Sequence, residues 1–398
     1  MKKKIEKLFS HLKKDKSLRV KNSYYTFSKE YPAGNIPIKR KMNKRLHSRF
    51  LKVLLSCLMF AVLCCAGFFV VSVFLEISDK APLPVTDSAV TQSESLLKSD
   101  GVRALYMPYE HLGDSGYIRS FIKELRRKNC NSVVIQFKTP EGKLNYSSML
   151  ENAIKGKCSV FYNDTIRSAV DLFSQKNISV IAQLYCFEDP AVAESSPELA
   201  VKYMDTDINW LDGSDENGGK AWLSPTLKRN QTYIIGIINE LYNLNIKGFI
   251  LESCSYPDSQ NTATATYPGE KNFSTKNEAL TSFFKKIQDA LPEDAFVLMS
   301  FTATDAVNGN PDLFDGDITA AAYEGYAVDL SVREEGYTVD KKSKFASMLS
   351  LFSLITKNYP DKAFVPVIST DEYSAKYISA IRKSGYTNFI IYDENGEY

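Results

Sequence analysis

The chain has 398 residues, 44% of them hydrophobic and 24% charged, with seven cysteines. Its length admits two or three average domains, or one large barrel with attachments, and so sparse a cysteine content excludes a disulfide scaffold. The formal net charge of +2 hides an asymmetry: residues 1–50 carry sixteen Lys/Arg against three acids, so the remainder is net acidic.

The first predicted element follows that basic stretch. Val53 to Leu75 contains no charged residue. At about 1.5 Å per residue, a helix of that length crosses a bilayer core. A cleaved signal peptide would have a shorter apolar region and a much shorter charged flank. Leu63-Cys64 lacks the small residue expected before a lipidated cysteine. The positive-inside rule places the N-terminus in the cytoplasm and everything after Leu75 outside. The basic tail then reads as a topology signal and surface tether, with no nucleic acid partner expected. Of the cysteines, Cys57, Cys64 and Cys65 lie in this span, leaving Cys130, Cys158, Cys186 and Cys254 beyond it. The last two fall near the ends of neighbouring strands, as packed thiols or as a disulfide.

Residues 77–100 are rich in Ser, Thr, Pro and Asp without a sustained period, and read as a linker. The expected division is therefore a cytoplasmic tail (1–50), a transmembrane helix (51–76), an extracellular linker (77–100) and a folded ectodomain (101–398).

From Gly101 onward, short apolar runs alternate with amphipathic segments. The runs are ALYMP (104–108), SVVIQF (132–137), SVIAQLYC (179–186), GFILES (248–253), AFVLMS (295–300), AVDLSV (327–332), AFVPVI (363–368) and NFIIYD (388–393). In FIKELRRKN and AVDLFSQKN the apolar residues recur at helical intervals. Eight continuous apolar strands separated by helices call for parallel pairing with both faces buried. That count closes into a (β/α)8 TIM barrel. An open doubly wound sheet usually carries a Gly-rich first turn, and ALYMPYEHLG has none. Two loops are long: 187–226 after the third strand, with a short helix at PAVAESSPELAVKYM, and 256–275 after the fourth.

Barrel enzymes build their sites from strand C-termini and the loops that follow. Glu252 ends the fourth strand, and a carboxylate there needs a polar partner or solvent. Glu188 follows the third strand and Asp371 the seventh, so either is a topological candidate for a second catalytic acid. His111 and Lys138 stand near the ends of the first and second strands as candidate hydrogen-bond donors to a substrate. Trp210, Trp222 and Tyr256 offer flat faces for sugar rings, with Asp258 beside them. Asp189 before Pro190 reads equally well as a helix cap. The single histidine after residue 100 excludes metal centres built on paired histidines, and no G-x-S-x-G elbow or P-loop appears. No cofactor or metal is expected. Acid–base catalysis by carboxylates alone, as in glycoside hydrolysis, needs none of these.

SVVIQFKTPEGKLNY, SVIAQLYCFEDPAVAESSPELAV, NWLDG with AWLSP, and GFILESCSYPDS together resemble a group of bacterial glycoside-hydrolase-like barrels. The resemblance covers most of 101–398 and implies a barrel acting on polysaccharide. It also marks departures. Where that group tends to have Asp-Val-Lys-Asp, this chain has Gln136-Phe137-Lys138-Thr139, so only Lys138 carries over. Ala-Trp-x-Asp-Pro becomes Ala221-Trp222-Leu223-Ser224-Pro225. Phe-Asp-Tyr-x-Arg-Phe-Pro becomes Leu251-Glu252-Ser253-Cys254-Ser255-Tyr256-Pro257, keeping an acid but losing the arginine. Two functions follow from this pattern: a membrane-anchored extracellular glycoside hydrolase acting on envelope polysaccharide, or a catalytically silent barrel that holds a glycan or a partner.

Overall fold

The computed structural model describes residues 94–159, 162–214, 218–259, 261–303, 305, 311–315, 325–330, 341–358, 360, 362–369 and 374–398. The apolar run 53–75 and the expected tail lie outside them. Among the described residues, no helix is long and apolar enough to cross a membrane.

The eight expected runs form one closed parallel barrel: β1 (Arg103–Met107), β2 (Ser132–Lys138), β3 (Ser179–Tyr185), β4 (Gly248–Glu252), β5 (Phe296–Thr302), β6 (Gly325–Asp329), β7 (Ala363–Ser369) and β8 (Phe389–Tyr392). This is the α/β TIM-barrel architecture. Among the described residues, six longer helices return the chain: α1 (Ser115–Arg127), α2 (Asn163–Ser174), α3 (Lys228–Tyr242), α4 (Lys276–Ala290), α5 (Lys341–Asn358) and α6 (Ser374–Lys383).

Local chemistry sets where helices begin and end. Asp114 caps α1 by accepting from the backbone N–H groups of Gly116 (2.8 Å) and Tyr117 (3.0 Å). Ile118, Phe121, Ile122 and Leu125 then repeat at three- and four-residue intervals and are buried on one face. Three crossings end alike: Asn129, Asn177 and Asn245 adopt positive φ (57°, 56° and 67°) just before β2, β3 and β4. Asparagine tolerates this left-handed conformation, and the next N–H reaches back five residues: Cys130 to Leu125, Ile178 to Phe173, Ile246 to Leu241.

Two boundaries differ from the sequence reading. Residues 94–100 do not behave as linker: Leu96–Ser99 is a helical turn, and Leu97 joins the cluster that fills the barrel interior. Strand β6 starts earlier than expected, at Gly325, and ends at Asp329, with Leu330 outside it. The long loops after β3 and β4 are tied together by a two-residue ribbon, Lys202–Tyr203 against Ala265–Thr266. Within the first of them, Pro190–Ser195 forms the expected short helix, with Asp189 as its cap.

Candidate functional site at the mouth of the barrel

The inward-facing residues fall into layers. Ala104, Val134, Ile181, Ile250, Leu298, Ala327, Val365 and Ile390 belong to one buried interior cluster. Side chains alternate along a strand, so the residue two positions further on points inward one level higher. Those positions are Tyr106, Gln136, Gln183, Glu252, Ser300, Asp329, Val367 and Tyr392. The interior therefore changes from apolar to polar within one step, and most of these upper residues are partly exposed.

The register sorts them further. Following the hydrogen-bonded pairs once round the wall returns to β1 about eight residues lower, the stagger of this architecture. A constant height thus requires one residue upward per strand. Gln136 pairs with Gln183 and Gln183 with Ile250, which puts Glu252 level with Gln136. Ile250 pairs with Leu298 and Leu298 with Gly325, which puts Asp329 level with Glu252. Asp329 pairs with Val367 and Val367 with Ile390, adding Tyr392. One four-residue layer, from alternate strands, therefore holds Gln136, Glu252, Asp329 and Tyr392. Tyr392 meets Tyr106 at 4.5 Å between ring centroids, forming an aromatic wall on the opposite side from Glu252.

Glu252 is held from both sides. The Gln183 amide donates to its Oε1 at 2.9 Å. The next residue, Ser253, has φ 44°, a strained conformation for a non-glycine residue at the end of a strand. The Ser253 hydroxyl donates to Glu188 Oε2 at 2.9 Å, and the other Glu188 oxygen pairs with Lys220 Nζ at 2.9 Å. Burial acts to lower the Lys220 pKa, but Glu188 and then Glu141, 3.6 Å away, outweigh it and hold the ammonium raised. Glu188 is thus a brace between the loop after β3 and the turn that carries Glu252.

Several expected substrate contacts are corrected by burial. Lys138 is fully buried: its Nζ donates to the Tyr185 carbonyl at 2.6 Å and pairs with Asp189 Oδ2 at 2.9 Å. The shift of register between Gln136 and Lys138 turns this side chain out of the barrel interior. Burial pushes the Asp189 carboxyl upward, against the pull of the Lys138 ammonium. Gly142 (φ +79°) makes room for the pair, since a Cβ there would stand 2.1 Å from Asp189 Oδ1. Trp210 is fully buried and donates to the Asn261 carbonyl at 3.1 Å, joining the two long loops. Tyr256 is also fully buried, its hydroxyl on the Lys276 carbonyl and its ring edge-on to Tyr267. Neither ring presents a face to a sugar.

Trp222 keeps 7% of its surface exposed, and its Nε1 donates to Asp212 Oδ2 at 2.9 Å. His111 lies partly exposed in the turn after β1, stacked on Tyr117 at 3.7 Å. Asp258 is exposed, and Asp371 lies outside the described residues. Cys186 and Cys254 are buried thiols with no disulfide between them, and Cys130 and Cys158 are buried and unbridged as well. Among the described residues, no cluster of His, Cys, Asp and Glu is built to hold a metal ion.

Sequence reasoning marked Gln136 only as the replacement of an acid in the resembling group, and missed Gln183, Asp329 and Tyr392 as members of the mouth. Asp329 falls in the middle of the run AVDLSV, where it reads as a strand interior. The available signal was the acid itself, an unsuitable residue for a strand buried on both faces.

A closed parallel barrel with a polar, acid-bearing mouth is compatible with many chemistries, and the family model narrows it to a glycoside-hydrolase-like barrel. The chain belongs to the family described as "Putative glycosyl hydrolase domain", whose model matches residues 104–306, from β1 to just past β5. No curated protein matches the sequence. Among solved structures, it is similar to a hypothetical protein from Ruminiclostridium thermocellum (23% identity over 49% of this chain and 96% of that one, TM-score 0.43). It is similar to a variant of the glycoside hydrolase domain of PelA from Pseudomonas aeruginosa (9% identity, 74% and 96% coverage, TM-score 0.42). It is also similar to an exo-β-N-acetylglucosaminidase from Vibrio harveyi (10% identity, 67% of this chain, TM-score 0.42), of which it spans only 41% of the length.

Proposed function

We propose that this chain is a membrane-anchored extracellular glycoside hydrolase acting on cell-envelope or other extracellular polysaccharide, with Glu252 as its central carboxylate. The observation that carries this reading is the placement of Glu252: an inward-facing acid at the C-terminal end of β4, oriented by Gln183 in a polar mouth. In this reading Glu252 is the general acid, protonating the leaving glycosidic oxygen. Glu188 holds the turn beside it. The exposed edge of Trp222, the His111–Tyr117 stack and Asp258 supply the rim of the sugar site. The anchor is the uncharged run 53–75, with the basic tail inside the cell.

The test uses the full-length chain in mild detergent and its Glu252→Gln variant, incubated with neutral, acidic and N-acetylated polysaccharides. New reducing ends and binding are followed in parallel. Cleavage by the wild type that disappears in the variant is the expected result. Binding without cleavage, unchanged by the substitution, overturns it.

One observation favours a second reading, a glycan-binding barrel that no longer cuts. Gln136 occupies the same layer as Glu252, at a position where the resemblance leads one to expect an aspartate. In that case the polysaccharide binds the mouth, and hydrolysis is absent from wild type and variant alike.

A further inference from the structure

A glycosidase of this chemistry requires two carboxyl groups, and the sequence nominates Glu188 and Asp371 beside Glu252. Glu188 has one oxygen on Lys220 and the other on Ser253, so it is occupied in supporting the Glu252 turn. The barrel register supplies another acid. Asp329, the last residue of β6, shares an inward-facing layer with Glu252, two strands away round the wall. It lies beyond the residues matched by the family model, which end at 306.

We propose that Asp329 is the second catalytic carboxylate, acting as general base opposite Glu252. This rests on the hydrolase reading above and adds to it the identity of the partner. Neighbouring members of a four-residue barrel layer stand about 10 Å apart at Cα, given strands about 4.8 Å apart and two residues of stagger. With both side chains directed toward the axis, that spacing allows the carboxyl groups a separation of about 6.5–9.5 Å, which leaves room for a water. Gln183 rises from β3, on the opposite side of β4 from β6, so the amide that orients Glu252 approaches it from the side away from Asp329. Tyr392 completes the same layer across the barrel from Glu252, and its contact with Tyr106 gives the sugar ring an aromatic wall facing that acid.

The reaction balances as a single displacement. The Glu252 carboxylic acid gives its proton to the glycosidic oxygen as the bond from that oxygen to the anomeric carbon breaks. A water oxygen forms the new bond from the opposite face, and its proton passes to the Asp329 carboxylate. One water is consumed, an alcohol and a hemiacetal of inverted configuration are released, and proton exchange with solvent restores both acids.

The experiment compares wild type with Glu252→Gln, Asp329→Asn and Asp329→Glu, all as full-length chains in detergent with the same polysaccharide panel. Thermal melting verifies that each variant is folded. The geometry is read separately in an E252C/D329C double variant, treated with a short thiol cross-linker and digested. The expected results are an internal cross-link between the two positions, and cleavage reduced at least a thousandfold in both Glu252→Gln and Asp329→Asn. Asp329→Glu, which keeps the base but moves it by one methylene, should retain a measurable fraction, and the product should be of inverted configuration. A folded Asp329→Asn that cleaves at the wild-type rate while Glu252→Gln is inactive overturns the role of Asp329 and leaves the hydrolase reading intact. A retained anomer overturns Asp329 as base. A wild type that binds without cleaving overturns the hydrolase reading and the catalytic pair together.

Discussion

Replacing Lys138 by Met should be among the most damaging single changes in the barrel. Both members of the Lys138–Asp189 pair are fully buried, 2.9 Å apart, and the ammonium also satisfies the Tyr185 carbonyl. Met fills nearly the same volume, so the loss is electrostatic rather than a cavity. Removing one partner of a buried pair leaves an uncompensated charge and costs about 3–5 kcal/mol. In urea unfolding of the chain this should appear as a lower midpoint with an unchanged slope. The deficit should also depend on pH. Burial already holds the Asp189 carboxyl above its ordinary value, and without Lys138 that rise is unopposed. A folded carboxyl that keeps its proton to higher pH than its unfolded counterpart contributes stability below the unfolded pKa of about 3.9, and loses it as pH rises. The Lys138→Met deficit should therefore be smallest near pH 4, where Asp189 can be neutral, and grow toward pH 7. A deficit under about 1 kcal/mol that is flat between those pH values would refute the uncompensated-charge account.

Three other outcomes follow from the same structure. Glu240 accepts from the hydroxyls of Tyr146 (2.8 Å) and Ser148 (2.7 Å) and from Met149 N–H (2.9 Å), so Glu240→Ala leaves a buried Tyr146 hydroxyl unpaired. We expect a loss of about 1–3 kcal/mol by urea unfolding, and little change would show that water replaces the carboxylate. At Gly248 a Cβ would meet the Phe296 ring at 2.6 Å and Ile181 at 3.0 Å, so Gly248→Ala should overpack the interior by about 1–3 kcal/mol, read as a lower melting temperature. Burial pushes the Cys130 thiol to about 11 and the Cys158 thiol to about 12. All four described thiols, Cys130, Cys158, Cys186 and Cys254, are buried, so iodoacetamide at pH 8 should leave them unmodified in the native chain and alkylate all four after unfolding, as peptide mass mapping would show. A Cys186–Cys254 bridge would instead persist until reduction.

The amino-acid sequence by itself determined the elements and their class. Apolar runs of strand length, spaced by helical periods, allow few arrangements, and eight of them close a parallel barrel. The position of Glu252 at the end of GFILE was legible for the same reason: it depends on neighbours along the chain. Tertiary structure decided the rest, because the deciding contacts are distant in sequence. Parallel strands buried on both faces carry apolar residues at every position, so alternation does not reveal which face points inward. Hence Lys138 reads as a mouth residue until a local register shift turns it outward onto Asp189, 51 positions later. Trp210 and Tyr256 look like sugar platforms until the fold buries them, Trp210 against the Asn261 carbonyl and Tyr256 against Lys276 and Tyr267. Asp329 shows the converse: its level in the barrel follows from the stagger accumulated over strands β4 to β6, and no local pattern records that sum.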